Sequence, residues 1–355
     1  MATTREQVLS EWVKQQLNDL QLTIHPLAGD ASFRRYARIL STHNGQPKSF
    51  MLMDAPTDKE DSQPFVDIAS WFAAHQVRVP HIVAQDLKQG FILLEDFGDT
   101  LLSQVLNADT ADQYYQQAMD QLLSLQQLPT IDGLIPAYDA QKLVTEMSLF
   151  DEWFVRQYLN IDLTEQESKL LQNLYQMLAN AALAQPQVVV HRDYHCRNLM
   201  VLETDTNNHV HDPRLGVIDF QDAVVGAYTY DLISILRDAY VQWPKHKVQE
   251  WLQYFWQHLP TEQTRGKTIT DFKREFDLMA AQRHLKVLGI FIRLNLRDGK
   301  TGYMNDLPLV LHYLLNELQD YPEFTELNQF LQQRVLPEFL QRQPNTKEIL
   351  LGQPS

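Results

Sequence analysis

Three polar side chains between residues 190 and 220 are of the types that activate a hydroxyl group and hold a divalent cation. Asp193 and Asn198 lie in the segment HRDYHCRN (191–198), and Asp219 follows the apolar run 215–218. A carboxylate can accept the proton of an attacking hydroxyl, and amide and carboxylate oxygens bind Mg²⁺ together with phosphate oxygens. Each residue alone would also be typical of a turn beside a strand. As a set in this order, they indicate metal-assisted group transfer to a hydroxyl.

Segment 191–198 matches the His-Arg-Asp-x-x-x-x-Asn catalytic loop of phosphotransferases at every specified position. Short β-type runs flank it at 188–190, 199–202 and 215–220. The polar stretch 203–214 separates the last two runs and predicts a hairpin. Such a hairpin would bring Asn198 and Asp219 side by side at one end. The sequence therefore predicts ATP and Mg²⁺ as ligands.

The segments before and after residue 98 have different sequence patterns. Before residue 98 the patterns are mainly β-type, at 33–40, 49–53 and 90–95, with one helix at 62–75. Later apolar spacing predicts helices at 111–128, 140–159, 164–183 and from 228 onward. We therefore predict an α+β fold with a nucleotide-binding, β-rich region at 1–97. Residues 98–355 would form a mainly α-helical region that carries the catalytic β-hairpin, the metal site and the acceptor-binding helices.

The catalytic loop, the hairpin and the Ile-Asp-Phe strand resemble the aminoglycoside phosphotransferase and choline kinase superfamily. Four segments narrow the resemblance to the anomeric kinases of N-acetylmuramate and N-acetylglucosamine used in bacterial cell-wall recycling. These segments are 29–36 (GDASFRRY), 53–56 (MDAP), 191–200 and 297–300 (RDGK). The resemblance implies a bilobal, protein-kinase-like fold, with ATP and Mg²⁺ as cofactors and an amino sugar as the acceptor that becomes a sugar 1-phosphate.

The resemblance also implies roles for single residues. Asp193 would be the base, and Asn198 and Asp219 would be the metal ligands. His191 would brace the catalytic loop, and Asp231 would hydrogen-bond it, although an aspartate at a helix N-terminus is also favoured by the helix dipole.

Residues 195–197 flank the base. His195 and Arg197 could approach a transferring phosphoryl group, so both are catalytic candidates. Cys196 is the only cysteine, which excludes an intrachain disulfide. Nothing in the sequence indicates a lowered pKa for its thiol, so we interpret it as a packing residue.

Candidate ATP-binding residues lie in the first hundred positions. Gly29, Ser32 and Phe33 belong to a stretch that resembles a phosphate-covering loop. The following strand, 50–54 (FMLMD), lacks the lysine expected to bind the α- and β-phosphates. Arg34 or Arg35 is expected to replace it, because one of two neighbours on a strand must face the nucleotide.

Other residues would complete the nucleotide site. Glu60 or Asp61 is a possible partner for the arginine. The stretch 91–98 resembles an interlobe hinge, in which the backbone near Glu95 and Phe97 would hydrogen-bond adenine.

The acceptor candidates are Glu146, Arg283, Arg293 and Arg297. A basic stripe in this acidic protein consists of the run Arg283-His284-Leu285-Lys286 followed by Arg293 and Arg297, and it suits a sugar that carries a lactyl carboxylate. A solvated helix face with paired charges would give the same pattern. Other acceptors stay open at this point, namely an aminoglycoside, homoserine or choline. Choline would need an aromatic cage, for which Tyr240, Trp243, Trp251 and Trp256 are available. A nucleotide-binding pseudokinase is a further alternative, supported by the missing lysine.

Net charge and the N-terminal sequence restrict the possible binding partners and the location of the protein. The 30 Lys and Arg against 45 Asp and Glu give a net charge of −15, which disfavours nucleic acid and anionic membranes. Residues 1–17 are charged and amphipathic, with Thr3 and Glu6 spaced as a capping box, so they predict a helix rather than a signal peptide. We expect a cytoplasmic protein, a monomer by default, that acts on a small amino sugar.

Overall fold

Residues 4–27, 33–43, 46–131, 133–202 and 214–351 are described by a computed structural model of the protein. Its chain divides into two compact units. The first unit comprises Met1–Val105 and Arg197–Asp222, and the second comprises Leu106–Cys196 and Ala223–Ser355. The predicted catalytic hairpin around residues 199–202 and 215–220 therefore belongs to the first unit. The functional division at residues 97 and 98 stays a prediction.

The first unit contains an antiparallel sheet of five strands in the order β1-β2-β3-β5-β4. The strands are β1 Thr23–Pro26, β2 Arg35–His43, β3 Gln46–Asp54, β4 Ile82–Asp86 and β5 Phe91–Glu95. The patterns at 33–40, 49–53 and 90–95 correspond to the three inner strands. The sequence did not indicate β1 and β4, because these edge strands are short and contain no fully buried residue.

Three helices accompany this sheet, α1 Arg5–Leu17, α2 Gln63–Ala74 and α3 Leu102–Val105. The capping box of α1 is formed by Thr4 and Gln7, so the prediction of Thr3 and Glu6 was wrong by one residue. Thr3 itself lies outside the described residues. Helix α1 buries Trp12 and Val13 in one hydrophobic cluster with the sheet residues Leu52 and Phe91.

A two-stranded hairpin completes the first unit, with β7 Leu199–Leu202 and β8 Arg214–Val217 in a register that pairs Leu199 with Val217. Strand β8 ends three residues before the predicted limit at Phe220. The predicted turn between the strands falls at 203–213, outside the described residues. Gly216 is required in β8, since a Cβ there would lie 2.4 Å from the ring of Phe97.

The second unit is mainly helical, with the short antiparallel pair β6 Gln187–Val190 and β9 Val224–Ala227. Its helices are α4 Ala111–Gln126, α5 Ala140–Met147, α6 Glu165–Leu183, α7 Tyr230–Leu236, α8 Lys245–His258, α9 Thr261–Thr264, α10 Ile269–Asp298, α11 Leu307–Glu317, α12 Thr325–Phe330, α13 Leu336–Arg342 and α14 Lys347–Leu351. The small sheet in the first unit and the helical second unit confirm the predicted α+β fold. No helix in the described part of the chain has the length and apolarity needed to span a membrane.

Helix α10 is the central element of the second unit. Its 30 residues begin at a capping box of Thr268 and Asp271 and end at Gly299, which has the left-handed φ of 70°. Residues 140–159, predicted as one helix, form α5 and then a π-helix at Phe150–Tyr158. The π-helix follows directly after the closest approach of α10, where a Cβ on Gly289 would lie 2.3 Å from the carbonyl carbon of Leu149.

The close contact at Gly289 predicts the effect of adding one methyl group. Alanine favours helices over glycine by about 1 kcal/mol, but Gly289→Ala would force the backbone at Leu149 to move. We expect the free energy of unfolding to fall by about 1–3 kcal/mol, the usual cost of overpacking, as measured by urea denaturation.

Gly302→Ala is the matched control, because a Cβ at Gly302 meets nothing within 4 Å. An equal loss of stability in both variants would contradict the packing explanation.

Candidate active site

Asp193 lies in a loop that is held by a buried carboxylate. Asp231, at the start of α7, accepts the backbone N–H of His191 at 2.6 Å and that of Arg192 at 3.0 Å. Arg192 has a φ of 80°, in the left-handed region that non-glycine residues avoid. The imidazole Nδ1 of His191 lies 3.2 Å from the backbone nitrogen of Asp193 and accepts its hydrogen. These contacts fix the backbone that leads into the predicted base.

The pKa values of Asp231 and Asp193 are shifted in opposite directions. Burial raises the pKa of Asp231 to about 7, against the lowering effect of the two N–H groups that it accepts. Burial also acts to raise the pKa of Asp193, but Lys286 and Arg283 outweigh it and hold this pKa at about 2. The side chain of Asp193 is 42% exposed. An ionised and accessible carboxylate is therefore available at neutral pH.

A second buried carboxylate, Asp238, holds the far end of the loop and was missed by the sequence analysis. Its Oδ2 accepts the N–H of Cys196 at 3.0 Å, and its Oδ1 accepts the N–H of Tyr240 at 3.0 Å. The Tyr240 ring packs edge-on against His195, with centroids 5.1 Å apart. Asp238 therefore couples the loop to an aromatic residue beside it. Only the fold brings these residues together, so no local pattern could have found this contact.

Glu146 is the centre of a charged network beside the base. Its Oε1 accepts from Arg192 at 2.6 Å, and its Oε2 accepts from Lys286 at 3.1 Å and from the hydroxyl of Tyr138. Burial acts to raise the pKa of Glu146, but Lys286 and Arg192 lower it below its usual value. Both carboxylate oxygens are thus engaged by protein donors.

Lys286 and Arg283 lie one helical turn apart on α10 and both reach Tyr230. The phenol oxygen of Tyr230 accepts from Lys286 at 3.0 Å and from Arg283 at 3.1 Å. Arg283 also donates to the carbonyl of Arg192 at 2.9 Å and lies 3.9 Å from the carboxylate of Asp193. The sequence placed both residues in the basic stripe, but it proposed only Arg283, and not Lys286, as an acceptor-binding residue.

A pocket in the second unit opens at the predicted base. Its polar lining includes Asp193, His195, Arg237, Tyr240, Arg283 and Lys286. Arg293 and Arg297 are not part of this lining. With a rise of 1.5 Å per residue, they lie about 15 and 21 Å along α10 from Arg283. Arg297 is exposed and is paired with Asp298 at 2.8 Å. Of the three predicted acceptor arginines, the structure brings Arg283 alone to the base.

The four aromatic residues considered for a choline cage lie in separate clusters. Tyr240 packs on His195, and Trp256 packs on Phe272. Trp243 and Trp251 contact each other and Tyr115 inside the helical core. These side chains do not surround a common cavity, which removes the basis for the cage.

In the first unit, the hairpin places the predicted metal ligands side by side. Asn198 precedes β7 and Asp219 follows β8, and Nδ2 of Asn198 lies 3.4 Å from Oδ2 of Asp219. Asp219 has a φ of 62°, and its Oδ1 accepts from Gln221 at 2.8 Å. One carboxylate and one amide, with other positions left to phosphate and water, fit Mg²⁺. Among the described residues, no group of three or more His, Cys, Asp or Glu could hold a metal.

The remaining predicted catalytic and ATP-binding residues have varied surroundings. Arg197 and Phe33 are exposed, Phe33 to 64%. Gly29 and Ser32 lie outside the described residues. In the expected hinge, the N–H of Glu95 donates to the carbonyl of His81 at 2.8 Å. The hinge prediction therefore depends on the main chain of Phe97 and on the carbonyl of Glu95.

The two neighbouring arginines have different partners. Arg34 pairs with Glu60 at 3.2 Å, and both side chains are largely buried. Arg35 is more exposed and donates to Asp54 at 2.5 Å. The alternative partner Asp61 instead accepts the N–H of Gln63 at the start of α2.

The sequence matches the model of the Phosphotransferase enzyme family over residues 23–267. Two relatives that are N-acetylmuramate/N-acetylglucosamine kinases extend the similarity further. That of Pseudomonas putida is 41% identical over 341 residues, which cover 92% of this chain and 96% of the relative. That of Neisseria meningitidis is 34% identical over 346 residues, which cover 95% and 98%.

Solved structures share the fold at much lower identity. The ethanolamine kinase of Plasmodium vivax aligns with a TM-score of 0.60 and 11% identity over 90% of this chain and 88% of that chain. The GDP complex of aminoglycoside 2'-phosphotransferase-IIIa aligns with a TM-score of 0.58 and 16% identity over 86% and 97%. The predicted kinase-like fold is confirmed.

The two hydrogen bonds of Asp231 predict a pH-dependent loss of stability. Asp231→Asn replaces one acceptor oxygen by an NH₂ group, so one loop N–H loses its partner. We expect the free energy of unfolding at pH 5 to fall by about 1–3 kcal/mol.

The difference in the free energy of unfolding between the wild type and Asp231→Asn should become smaller from pH 5 to pH 8. The folded-state pKa of about 7 lies above the unfolded value of about 3.9. The wild type therefore loses stability at this group as pH rises through 7, whereas asparagine cannot ionise. Denaturation at both pH values measures this, with the exposed Asp298→Asn as control. A difference independent of pH would contradict the assignment.

Proposed function

Because the chain belongs to the Phosphotransferase enzyme family, we propose that it transfers the γ-phosphoryl group of ATP to the anomeric hydroxyl of N-acetylmuramate or N-acetylglucosamine. The observation that carries the substrate assignment is the similarity to kinases of these two sugars over nearly the whole chain. Such a kinase would serve peptidoglycan recycling in the cytoplasm, where ATP is available.

In the proposed reaction, Asp193 receives the hydroxyl of the sugar. Its carboxylate is ionised, since its pKa is about 2, and it orients the hydroxyl by accepting a hydrogen bond. The sugar oxygen bonds to the γ-phosphorus, the bond to ADP breaks, and the hydroxyl proton passes to Asp193. A weak base suffices because an anomeric hydroxyl is more acidic than other sugar hydroxyls. Catalysis of this kind is mostly positioning and charge stabilisation.

Asn198 and Asp219 are the proposed Mg²⁺ ligands. When bound, the metal neutralises charge on the phosphates as the leaving group departs. The two residues themselves contribute oxygen donors from a hairpin that the backbone pair Ile218 N–H and Asn198 carbonyl closes at 3.1 Å. His191 and Asp231 keep the loop of Asp193 in place.

The charges near Asp193 support a neutral or anionic acceptor. Arg192, Arg283 and Lys286 outnumber the carboxylates Asp193 and Glu146 in this network. A polycationic aminoglycoside would be repelled there, whereas a lactyl carboxylate would be attracted to Arg283 or Lys286. We revise the proposed role of Glu146, because its oxygens are already engaged by Arg192, Lys286 and Tyr138. It would position these cations rather than bind sugar hydroxyls directly.

Asp193→Asn tests the base. Asparagine keeps the shape of the side chain but cannot take a proton, so we expect kcat to fall roughly 10²–10⁴-fold while the Kd for ATP stays unchanged. Steady-state kinetics with N-acetylglucosamine and calorimetric titration of ATP measure the two effects. The exposed Asp109→Asn is a control. Wild-type turnover by Asp193→Asn at saturating substrates would refute the assignment.

The acceptor hydroxyl is tested with a blocked sugar. Free N-acetylglucosamine should be phosphorylated, and its 1-O-methyl glycoside should not, because the glycoside has no anomeric hydroxyl. Coupled detection of ADP measures both, with choline and kanamycin as further acceptors. Phosphorylation of the glycoside at the rate of the free sugar would exclude the anomeric assignment. ATP binding without turnover on any acceptor would favour the pseudokinase alternative.

A further inference from the structure

Strand β3 supplies no cation to the face of the five-stranded sheet on which Tyr36 and Met53 lie. Its lysine, Lys48, is exposed and lies over the ring of Phe50 at 5.1 Å. Side chains of paired residues share one face of a sheet, and Tyr36 is paired with Met53 in β3. The phenol of Tyr36 also contacts the sulfur of Met53 at 3.4 Å. On this face, β3 therefore offers methionine where a phosphate-binding lysine would be expected.

Arg34 directly precedes β2, two residues before Tyr36, so the alternation of the strand directs it to the same face as Tyr36. Its guanidinium pairs with Glu60 at 3.2 Å, and its side chain is 11% exposed. It also lies 5.9 Å from the ring centroid of Phe65, which stacks on Phe220 at 5.0 Å. Phe220 directly follows the proposed metal ligand. A chain of contacts within the first unit thus connects Arg34 to the residue next to Asp219.

Tyr36 links the same groups through its phenol. Burial raises the pKa of Tyr36, and the nearby Arg34 lowers it while the charge of Asp219 raises it. The guanidinium and the carboxylate therefore both lie near one phenol, as a cation and a metal ligand that bind the same phosphates should.

Arg35 belongs to the opposite face and has a structural role. Its partner Asp54 also accepts from Nη2 of Arg5 at 2.6 Å and from Nε of Arg5 at 2.9 Å. Asp54 is 6% exposed. Asp54 thus accepts from Arg5 of helix α1 and from Arg35 of β2, so the three charged groups together fasten α1 and the start of β2 to the end of β3.

We propose that Arg34, oriented by Glu60, binds the phosphates of the nucleotide in place of the missing strand lysine. Glu60 is the positioning residue in this arrangement, because its carboxylate pairs with Nη2 of the guanidinium at 3.2 Å. An arginine suits the role since its planar fork can donate to two phosphate oxygens at once. This inference deepens the proposed function and depends on it only for the identity of the phosphoryl donor.

The experiment measures nucleotide binding directly and needs no acceptor. Calorimetry gives the Kd of ATP and of adenosine, each with and without Mg²⁺, for wild type, Arg34→Ala, Arg34→Lys and Glu60→Gln. We expect Arg34→Ala to raise the Kd of ATP roughly 10- to 100-fold, the usual worth of hydrogen bonds to a charged group. Arg34→Lys and Glu60→Gln should raise it less. Adenosine has no phosphates, so its Kd should not change.

Two other cations serve as comparisons. Lys48→Ala should bind ATP as the wild type does. Arg35→Ala should lower the melting temperature without raising the Kd of ATP. An unchanged Kd in folded Arg34→Ala, or an increase confined to Arg35→Ala, would overturn the proposal. If Arg34→Ala does not fold, wild-type ATP affinity in both Arg34→Lys and Glu60→Gln would overturn it.

The acceptor is tested separately in the same variants. The Michaelis constant for N-acetylglucosamine should stay near the wild-type value in Arg34→Lys. A wild type that binds ATP but phosphorylates no amino sugar would refute the proposed substrate, while the ATP titrations would still decide the role of Arg34.

Discussion

The contact of Asp231 with two successive N–H groups is the interaction on which the base region depends. It holds Arg192 in a left-handed backbone conformation that an arginine does not favour by itself. In this conformation, the carbonyl of Arg192 accepts from Arg283, and its side chain reaches Glu146. The position of the base and the arrangement of the surrounding cations thus have the same origin.

The second constraint is electrostatic. Arg283 and Lys286 lie close to Asp193, and they would attract counter-ions from solvent if they were not held by Tyr230 and Glu146. The phenol and the buried carboxylate keep both cations in place before any substrate arrives. The resulting pKa of Asp193, about 2, means that the site relies on orientation more than on basic strength.

The candidate residues are divided between the two units according to their proposed roles. Arg34, Asn198 and Asp219 belong to the first unit, whereas Asp193 and Arg283 belong to the second. The boundary falls within the catalytic loop, between Cys196 and Arg197. Five residues of sequence therefore connect the proposed base to a proposed metal ligand that folds with the nucleotide candidates.

Local patterns predicted the loop, the hairpin and the inner strands, because each has a strong sequence signal in a short window. They did not decide between Arg34 and Arg35, because that choice depends on which face of β2 meets Asp54 on the neighbouring strand. Asp238 was missed because its partners are 42 residues earlier in the chain and two residues later. The stripe of Arg283, Arg293 and Arg297 was overestimated, since helical rise carries its later members away from the base.

The π-helix at Phe150–Tyr158 gives this part of the chain an unusual tolerance for its length, although Phe150, Phe154 and Val155 are fully buried. Its hydrogen bonds span five residues, as from Leu159 N–H to the carbonyl of Phe154 at 3.0 Å, so each turn holds more residues than an α-helix. Losing one residue here would allow an ordinary α-helix to close. The side chains after the shortened turn would keep their faces, because a π-turn and the α-turn that replaces it both complete one revolution. Removal of one residue is therefore easier to accommodate here than in a continuous α-helix of the second unit.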